Sequence, residues 1–273
     1  MHCIYLDAPE FPQLLREIAN PPTCLWTRGD LSLLGSPAIA VVGARHATHE
    51  GLEIAYQISA DLARAGIVVV SGLARGVDAA AHSGALDAKG KTVAVLGTGI
   101  DRVYPAENKT LHERIAASGL LITEFAPGAP PDLFHFPQRN RIISGLSKAV
   151  VVVEAREKSG SLITARLAGD QGRDVMVVPG PTRTGQNRGG HALLRDGAKL
   201  VESAVDILQE LGLDSTGVPP LQIMETVEFT VDDIAAQMKI PAGEALARLL
   251  EWELTGEIQR IGSGRFVRTR SKV

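Results

Sequence analysis

Residues 149–166 read AVVVVEAREKSGSLITAR, and this stretch decides the fold class. Residues 149–153 form an uninterrupted apolar run of strand length, which is typical of a parallel strand covered by helices on both faces. The helical pattern that follows opens with the small residues Ser159, Gly160 and Ser161. We expect unpaired backbone N–H groups and two hydroxyls to meet at this helix start, where they would suit an anion.

The segment before this strand, residues 134–145, reads FHFPQRNRIISG. Arg139 and Arg141 flank Asn140 at the start of an apolar stretch, which predicts two permanently charged guanidinium groups near the edge of the sheet. Ordinary roles remain open, because the arginines could be solvated or paired and the serines could only cap a helix. The combination favours a phosphate-bearing ligand, since ligands of doubly wound sheets bind beyond the carboxyl ends of the strands.

Short apolar runs alternate with amphipathic helical patterns from residue 38 to residue 211. The runs lie at 39–42, 67–70, 92–96, 120–123, 150–153, 175–178 and, more briefly, 199–201. The helical patterns lie at 50–64, 77–89, 107–118, 139–147, 161–172 and 189–196. This alternation indicates right-handed crossover units in an α/β fold, an extended Rossmann-like domain with a mainly parallel sheet.

Glycine-rich turns follow several of these runs, at residues 43–45, 71–76, 97–99 and 179–181. Glycine lets the backbone approach a ligand closely, and we expect these turns to share one edge of the sheet. The turn at Gly43 lacks the second and third glycines of the dinucleotide fingerprint, and no Walker-type phosphate loop is present. Ordinary NAD or ATP binding is therefore not expected, and no cofactor is predicted.

Composition narrows the class of protein. The chain has 273 residues, of which 45% are hydrophobic, enough for one large domain and a small one. A formal net charge of −3 gives no overall bias towards nucleic acid, so such a function needs locally grouped cations. The chain has only two cysteines, which predicts a reduced, cytoplasmic setting. It has no apolar run long enough to cross a bilayer and no secretion-signal pattern, so no membrane partner is expected.

Breaks in the strand and helix patterns of apolar residues suggest the domain boundaries. The predicted units are a proline-rich N-terminal lead-in over 1–37, the Rossmann-like domain with the expected ligand-binding edge over 38–211, a linker over 212–220 and a small winged-helix domain over 221–273. The lead-in shows one short helical pattern, at 11–19, and should pack on the main domain. In the last unit, helical patterns at 221–227, 231–238 (with Thr230 as N-cap) and 242–254 precede strands at 257–261 and 265–269.

The charges of this last unit leave its role open. Its tail carries Arg260, Arg265, Arg268, Arg270 and Lys272 against Glu257, as a DNA-contacting wing would. The predicted recognition helix instead carries Glu244, Glu251 and Glu253 beside Arg248, which favours a protein-docking or dimerisation module.

Several motifs together carry a resemblance to a known family. They are VVGAR at 41–45, SGLARGVDAAAH at 71–82, GTG at 97–99, FPQRNRII at 136–143 and SGSLIT at 159–164. With them the sequence resembles the DNA-processing protein A family (DprA, also called Smf) over about residues 10 to 270. The resemblance implies a homodimeric protein without catalytic activity that binds single-stranded DNA, protects incoming strands in natural transformation (competence) and loads the RecA recombinase onto them. Many members carry a sterile-alpha-motif-like domain at the N-terminus, of which we expect only the trailing connection here.

A phosphate-binding mechanism follows from the residues themselves. Arg45 would take one phosphate, Arg139, Arg141 and the helix start its neighbours, while Phe134 and Phe136 could stack on a base. Lys109, Arg156 and Lys158 could add contacts, although each could also be an ordinary surface charge. The predicted DNA-binding residues are Gly43, Arg45, Lys109, Phe134, Phe136, Arg139, Asn140, Arg141, Lys158, Ser159, Gly160, Ser161 and Thr164.

Two other classes of function stay open. The same edge could bind a nucleotide-derived small molecule in an enzyme or sensor, with Asp78, Glu124 and Glu154 as acid or base groups, although these are better placed to orient the arginines. Asp78 and His82 share a helix face but have no third ligand in view, so no metal site is predicted. The third class is a regulator that binds DNA through the winged helix and uses the large domain as a sensor.

Overall fold

The computed structural model describes residues 2–213, 228–238, 241–254, 258–262 and 264–268. The chain divides into two compact units, Met1–Ser215 and Thr216–Val273. In the part of the chain that the structure describes, no helix is both long and apolar enough to cross a membrane.

The first unit contains nine strands and eight α-helices within the described residues. The strands are β1 His2–Tyr5, β2 Cys24–Gly29, β3 Ala38–Val42, β4 Val68–Ser71, β5 Thr92–Val95, β6 Leu120–Thr123, β7 Ala149–Val152, β8 Asp174–Val177 and β9 Lys199–Leu200. The helices are α1 Gln13–Arg16, α2 His49–Arg64, α3 Val77–Asp87, α4 Lys109–Ser118, α5 His135–Gly145, α6 Ser161–Asp170, α7 Arg188–Arg195 and α8 Ala204–Glu210. Short 3-10 turns lie at Leu31–Gly35 and Ala106–Asn108.

All nine strands form one sheet in the order β1-β2-β6-β5-β4-β3-β7-β8-β9. Neighbouring strands from β6 through β9 run parallel, as the alternating sequence pattern predicts. Alternate residues of β3 enter two different apolar cores: Ala40 and Val42 face one, while Ile39 and Val41 face the other. The uninterrupted apolar strands are therefore explained by helices on both faces of the sheet, and the predicted α/β fold class is confirmed.

The topology places three loops side by side. Strand β3 pairs with β4 on one side and with β7 on the other, all parallel. The segments that follow these strands, residues 43–48, 72–76 and 153–160, therefore leave the sheet at the same edge. We call this the carboxyl edge of the sheet.

Two strands that were not predicted, β1 and β2, lie in the proline-rich lead-in and extend the sheet. Strands β1 and β2 form an antiparallel pair, and β2 adds antiparallel to β6 with Trp26 opposite Thr123. Helix α8 also escaped prediction, although Ser203 and Asp206 form a capping box at its start, a signal readable from sequence. Helix α5 begins at His135, four residues before the predicted start.

The second unit is a small winged helix. Helices α9 Val231–Met238 and α10 Ala242–Leu254 accompany a three-stranded antiparallel sheet, β10 Glu228–Thr230, β11 Ile258–Arg260 and β12 Arg265–Arg268, in the order β10-β12-β11. Phe229, Leu249 and Phe266 are buried in its core. The predicted N-cap Thr230 exchanges hydrogen bonds with Asp233. Strand β10 was not predicted, and the predicted helical pattern at 221–227 lies outside the described residues.

Candidate nucleic-acid interface

A cavity of about 470 Å³ opens at the carboxyl edge, and loops after β3, β4 and β7 contribute to its wall together with α5 and α6. Most of the predicted DNA-binding residues line it. They are Gly43, Arg45, Phe136, Arg139, Asn140, Lys158, Ser159, Gly160, Ser161 and Thr164. The sequence motifs of three separate loops therefore meet around one space, as the parallel topology requires.

Arg45 and Phe136 form one side of this cavity. Arg45 is exposed, and its Cζ lies 5.4 Å from the centroid of the Phe136 ring. Phe136 in turn contacts Tyr104, with ring centroids 5.3 Å apart. A side chain at Gly97 would collide with the Phe136 ring, so the glycine leaves the space that the ring occupies. A cation and an aromatic face are thus presented together, the two groups that phosphates and bases bind.

Hydroxyl groups also line the cavity, at the start of α6. Ser159 Oγ and Ser161 Oγ are 2.7 Å apart, and Thr164 is buried one turn further along. The backbone N–H groups of Leu162 and Ile163 are not free, because they donate to the carbonyls of Ser159 and Gly160 at 3.1 Å. The predicted set of unpaired N–H groups is therefore wrong at these two positions, and the hydroxyls carry most of the polar character.

Two further cations stand at the opening of the cavity. Arg156 and Lys158 both line it and are exposed, on the loop that follows β7. The Nε of Arg156 donates to the side-chain oxygen of Gln186 at 2.5 Å. Together with Arg45 they provide three exposed positive charges around a single opening, an electrostatic environment that attracts a polyanion.

Arg139 lies at the floor of the cavity and is only 4% exposed, whereas the sequence analysis placed it at the surface as a phosphate ligand. Its guanidinium donates to the carbonyl of Val95 and packs against Gly72, where any added Cβ would collide with it. Burial lowers the pKa of Arg139 to about 10, although the nearby Asp78 carboxylate opposes this shift. Arg139 lies three and four residues before the buried Ile142 and Ile143, so it falls on the same inward face of α5.

Asp78 holds the loop after β4 rather than acting on a substrate. Its carboxylate accepts N–H bonds from Gly72 at 3.1 Å and Ala74 at 3.3 Å. Burial raises the pKa of Asp78, while Arg139 and these hydrogen bonds oppose that rise. The loop that approaches the cavity is thereby fixed to helix α3, which carries Asp78.

His82 is a buried structural histidine. Its ring contacts Thr92 Oγ1 at 2.7 Å, and its Nε2 accepts the N–H of Leu73 at 3.3 Å, so Nδ1 carries the proton. Burial lowers the pKa of His82 to about 3, which keeps the ring neutral. Across the described ranges, no group of three or more His, Cys, Asp or Glu side chains is close enough to hold a metal ion.

Arg141 is engaged outside the cavity, contrary to its predicted role. Its two terminal nitrogens bind the Glu124 carboxylate at 2.5 and 2.8 Å, and its Nε donates to the carbonyl of Asn20 at 2.8 Å. Glu154, the other carboxylate considered as an acid or base, accepts from the backbone N–H and hydroxyl of Thr48 at the start of α2. Both carboxylates are therefore tied to structural partners.

Two other predicted residues do not line the cavity. Phe134 is 83% exposed just before α5, and Lys109 is exposed at the start of α4. Leu133, next to Phe134, does line the cavity, as does His46, which follows Arg45. Neither residue was predicted to belong to the site, although their position beside predicted ligands was an available signal.

Comparisons of the sequence with known proteins show which family the chain resembles. A sequence model of the family described as "DNA recombination-mediator protein A" matches residues 2–212, and the DprA winged helix domain matches residues 206–264. The chain is 46% identical to the DNA processing protein DprA of Streptococcus pneumoniae, over 73% of this chain and 71% of that protein. It is 38% identical to the protein Smf of Escherichia coli, over 98% and 78% of the two chains.

Solved structures show the same relationship. The crystal structure of Streptococcus pneumoniae DprA superposes with a TM-score of 0.75 at 44% identity, over 77% of this chain and 74% of that one. A Helicobacter pylori DprA structure, described as giving insight into a single-stranded DNA binding mode, superposes with a TM-score of 0.68 at 31% identity, over 73% and 92%. On this evidence, the chain belongs to the DNA recombination-mediator protein A (DprA) family of DNA-processing proteins.

Proposed function

We propose that this chain binds single-stranded DNA in the cavity at the carboxyl edge. The observation that carries the proposal is the arrangement of Arg45, Arg156 and Lys158, three exposed cations, around one opening that also contains the Phe136 ring. Phosphates would contact the cations and the Ser159 and Ser161 hydroxyls, and a base would lie against Phe136. Such contacts read the backbone and a π face, so binding has little sequence preference.

In this proposal the charged phosphate contacts come from the three exposed cations, whereas Arg139 and Arg141 stabilise the structure around the cavity. Arg139 supports the floor of the cavity from below, and Arg141 fixes helix α5 to Glu124. The revised set still presents charge and hydroxyls from separate loops along one edge. The Helicobacter pylori relative, whose structure concerns single-stranded DNA binding, supports the same ligand for this chain.

The cellular role that fits is that of a recombination mediator. We propose that the chain protects incoming single strands in natural transformation and delivers RecA to them, acting in the cytoplasm as a homodimer and without catalysing a reaction. Membership of a family described as recombination mediators supports this role. The engagement of Asp78, Glu124 and Glu154 with structural partners supports binding rather than catalysis, because none is left as a free acid or base in the cavity.

A small nucleotide-derived ligand remains the second candidate, since a cavity of about 470 Å³ lies within the usual size of small-molecule sites. Affinity should then saturate with a mononucleotide. For a polyanion track, affinity should instead rise with oligonucleotide length and fall steeply with salt. Titration of thymidine monophosphate and of oligothymidylates of increasing length, each at several salt concentrations, separates the two. A mononucleotide that binds as tightly as the longest oligomer would overturn the proposal.

A further inference from the structure

The loop after β8 presents cations at the same edge, and apart from its glycine-rich turn at residues 179–181 it belongs to none of the motifs discussed above. This β8–α7 loop, residues 178–187, is followed by Arg188, the first residue of α7. Strand β8 pairs in parallel with β7, so the loop leaves the sheet beside the β7 loop that carries Arg156 and Lys158. Residues 178–188 contain two arginines, Arg183 and Arg188, and no Asp or Glu, so the segment has a local excess of positive charge.

A buried asparagine fixes this loop against the cavity wall. Asn187 is 1% exposed; its side-chain oxygen accepts the N–H of Ala155 at 3.0 Å, and its nitrogen donates to the carbonyl of Val178 at 2.9 Å. The N–H of Gly189 donates to the carbonyl of Ala155 at 2.9 Å. Two of these hydrogen bonds join Ala155 of the β7 loop to Asn187 and Gly189, and the third closes the β8–α7 loop on itself, so the relative position of the two loops is set by the fold.

A further hydrogen bond connects the β8–α7 loop to a residue that lines the cavity. Gln186 accepts a hydrogen bond from Arg156, which itself lines the cavity. Arg188 extends past Gly185, with Nε 3.7 Å from the position of an added Cβ, and reaches Glu157 only at 3.8 Å. Arg183 is exposed and, within the described part of the chain, takes part in no ion pair or hydrogen bond. Both guanidinium groups are thus available at the surface.

We propose that Arg183 and Arg188 form a second phosphate subsite, which extends the path of a single strand from the cavity across the β8–α7 loop. The inference rests on the proposed function, because it adds a contact for the same ligand. Its chemistry is recognition of internal phosphodiesters by two guanidinium groups, with the hydroxyls of Thr182 and Thr184 beside them in the loop. A strand short enough to fill only the cavity does not reach this subsite, whereas a longer strand does.

The test compares two double variants of equal charge on oligothymidylates from about 4 to about 16 nucleotides. Arg183→Ala/Arg188→Ala removes the proposed subsite. Arg64→Ala/Arg195→Ala is the matched control, because Arg64 and Arg195 end α2 and α7 and lie at the opposite edge of the sheet. All four substituted side chains are exposed, and thermal unfolding of each variant confirms that the fold is retained.

For the longest oligomers, we expect the subsite variant to bind more weakly than the control, with a salt dependence (log affinity against log salt) smaller by about 1.4, or about 0.7 for each lost phosphate contact. For the shortest oligomers, the two variants should bind equally. Equal slopes at every length, with Arg45→Ala still weakening binding, would overturn the subsite and leave the proposed function intact. If the wild-type protein binds no oligomer, the proposed function fails and the subsite with it.

Discussion

The guanidinium of Arg45 lies over the ring of Phe136, with Cζ 5.4 Å from the ring centroid, and both side chains line the same cavity. The contact holds an exposed cation beside an aromatic face without neutralising its charge, because a cation–π contact leaves the N–H donors free. One phosphate and its adjoining base can therefore be held by neighbouring side chains. Different measurements should separate phosphate binding by Arg45 from base stacking on Phe136.

Replacing Arg45 by alanine should weaken oligonucleotide binding and reduce the salt dependence. The loss of one phosphate contact lowers the slope of log affinity against log salt by about 0.7 for a single strand. Fluorescence anisotropy at several salt concentrations measures this slope. Arg64→Ala, at the far end of α2, is the matched control and should leave it unchanged. An unaltered slope in folded Arg45→Ala protein would argue against phosphate binding at Arg45.

Replacing Phe136 by leucine should lower affinity without changing the salt slope. Stacking of one base on an aromatic side chain contributes about 1–3 kcal/mol, and leucine keeps the apolar contact with Tyr104 but offers no π face. Affinity should therefore fall by the same factor at every salt concentration. A change in slope with little change in affinity at low salt would show that Phe136 acts by positioning Arg45 instead of by stacking.

Arg139→Met should affect stability far more than DNA binding. The guanidinium is buried and donates to the Val95 carbonyl near the Asp78 carboxylate, and leaving a buried acceptor without its partner typically costs about 1–3 kcal/mol, or more where a charge is left uncompensated. Urea unfolding measures the loss. The double variant Arg139→Met/Asp78→Asn should recover part of it, because no carboxylate is then left without its cation. A stable Arg139→Met protein whose salt slope falls by about 0.7 would restore the original prediction of a direct phosphate contact.

The Arg141 and Glu124 side chains should show strong energetic coupling. Both are largely buried, at 12% and 11% side-chain exposure, and the bidentate geometry places the pair among the stronger ion pairs. A double-mutant cycle with Arg141→Ala and Glu124→Ala should give a coupling free energy of about 1–3 kcal/mol in urea unfolding. The salt slope of DNA binding in folded Arg141→Ala protein should match that of the wild type, and a lower slope would count against the structural role.

His82 should make stability depend on pH. The pKa of the ring is lowered from 6.5 in the unfolded chain to about 3 in the fold because of burial, so the unfolded state binds the proton first as the pH falls. The stabilising contribution of the neutral ring is complete above pH 6.5 and is lost progressively towards pH 3. Between pH 6.5 and about pH 5 the loss is about 2 kcal/mol.

His82→Gln is the matched variant for this measurement, because its amide can replace both hydrogen bonds of the ring, to Thr92 and Leu73, without titrating. The free energy of unfolding of the variant, followed by urea denaturation, should change less steeply over the same pH window. Parallel pH profiles for the two proteins would show that His82 does not carry the dependence. The buried His112, whose pKa is also lowered by burial, leaves a residual slope in both.

The sequence was sufficient to predict the central strands because each of them is buried on both faces. A continuous apolar run such as that of β7 has few alternative structures, and crossover connections then determine the common edge. The outer strands β1 and β2 lie beside prolines and expose Tyr5, so their patterns resemble those of an irregular segment. Their place in the sheet depends on β6, nearly a hundred residues away, which local patterns do not reveal.

Most of the predicted site residues line one cavity, but their burial was not predicted. Arg45 and Lys158 are exposed as expected, because they follow strands directly at the carboxyl edge. The structure gives Arg139 and Arg141 structural partners instead of a place at the surface of the cavity. The inward phase of Arg139 with Ile142 and Ile143 was readable from their spacing, whereas the pairing of Arg141 with Glu124 joins residues 17 positions apart, which local patterns do not reveal.

The pairing of β2 with β6 joins two strands that emerge from the ribosome at different times. Residues 24–29 leave the ribosome about 90 residues before residue 120, which corresponds to roughly 5–20 seconds of translation. During that time β2 lacks its partner β6, and the core that Ile4 and Leu25 enter lacks Leu120 and Ile122 of that strand. The nascent polypeptide therefore carries an open strand edge, which a chaperone can shield until the partner strand emerges.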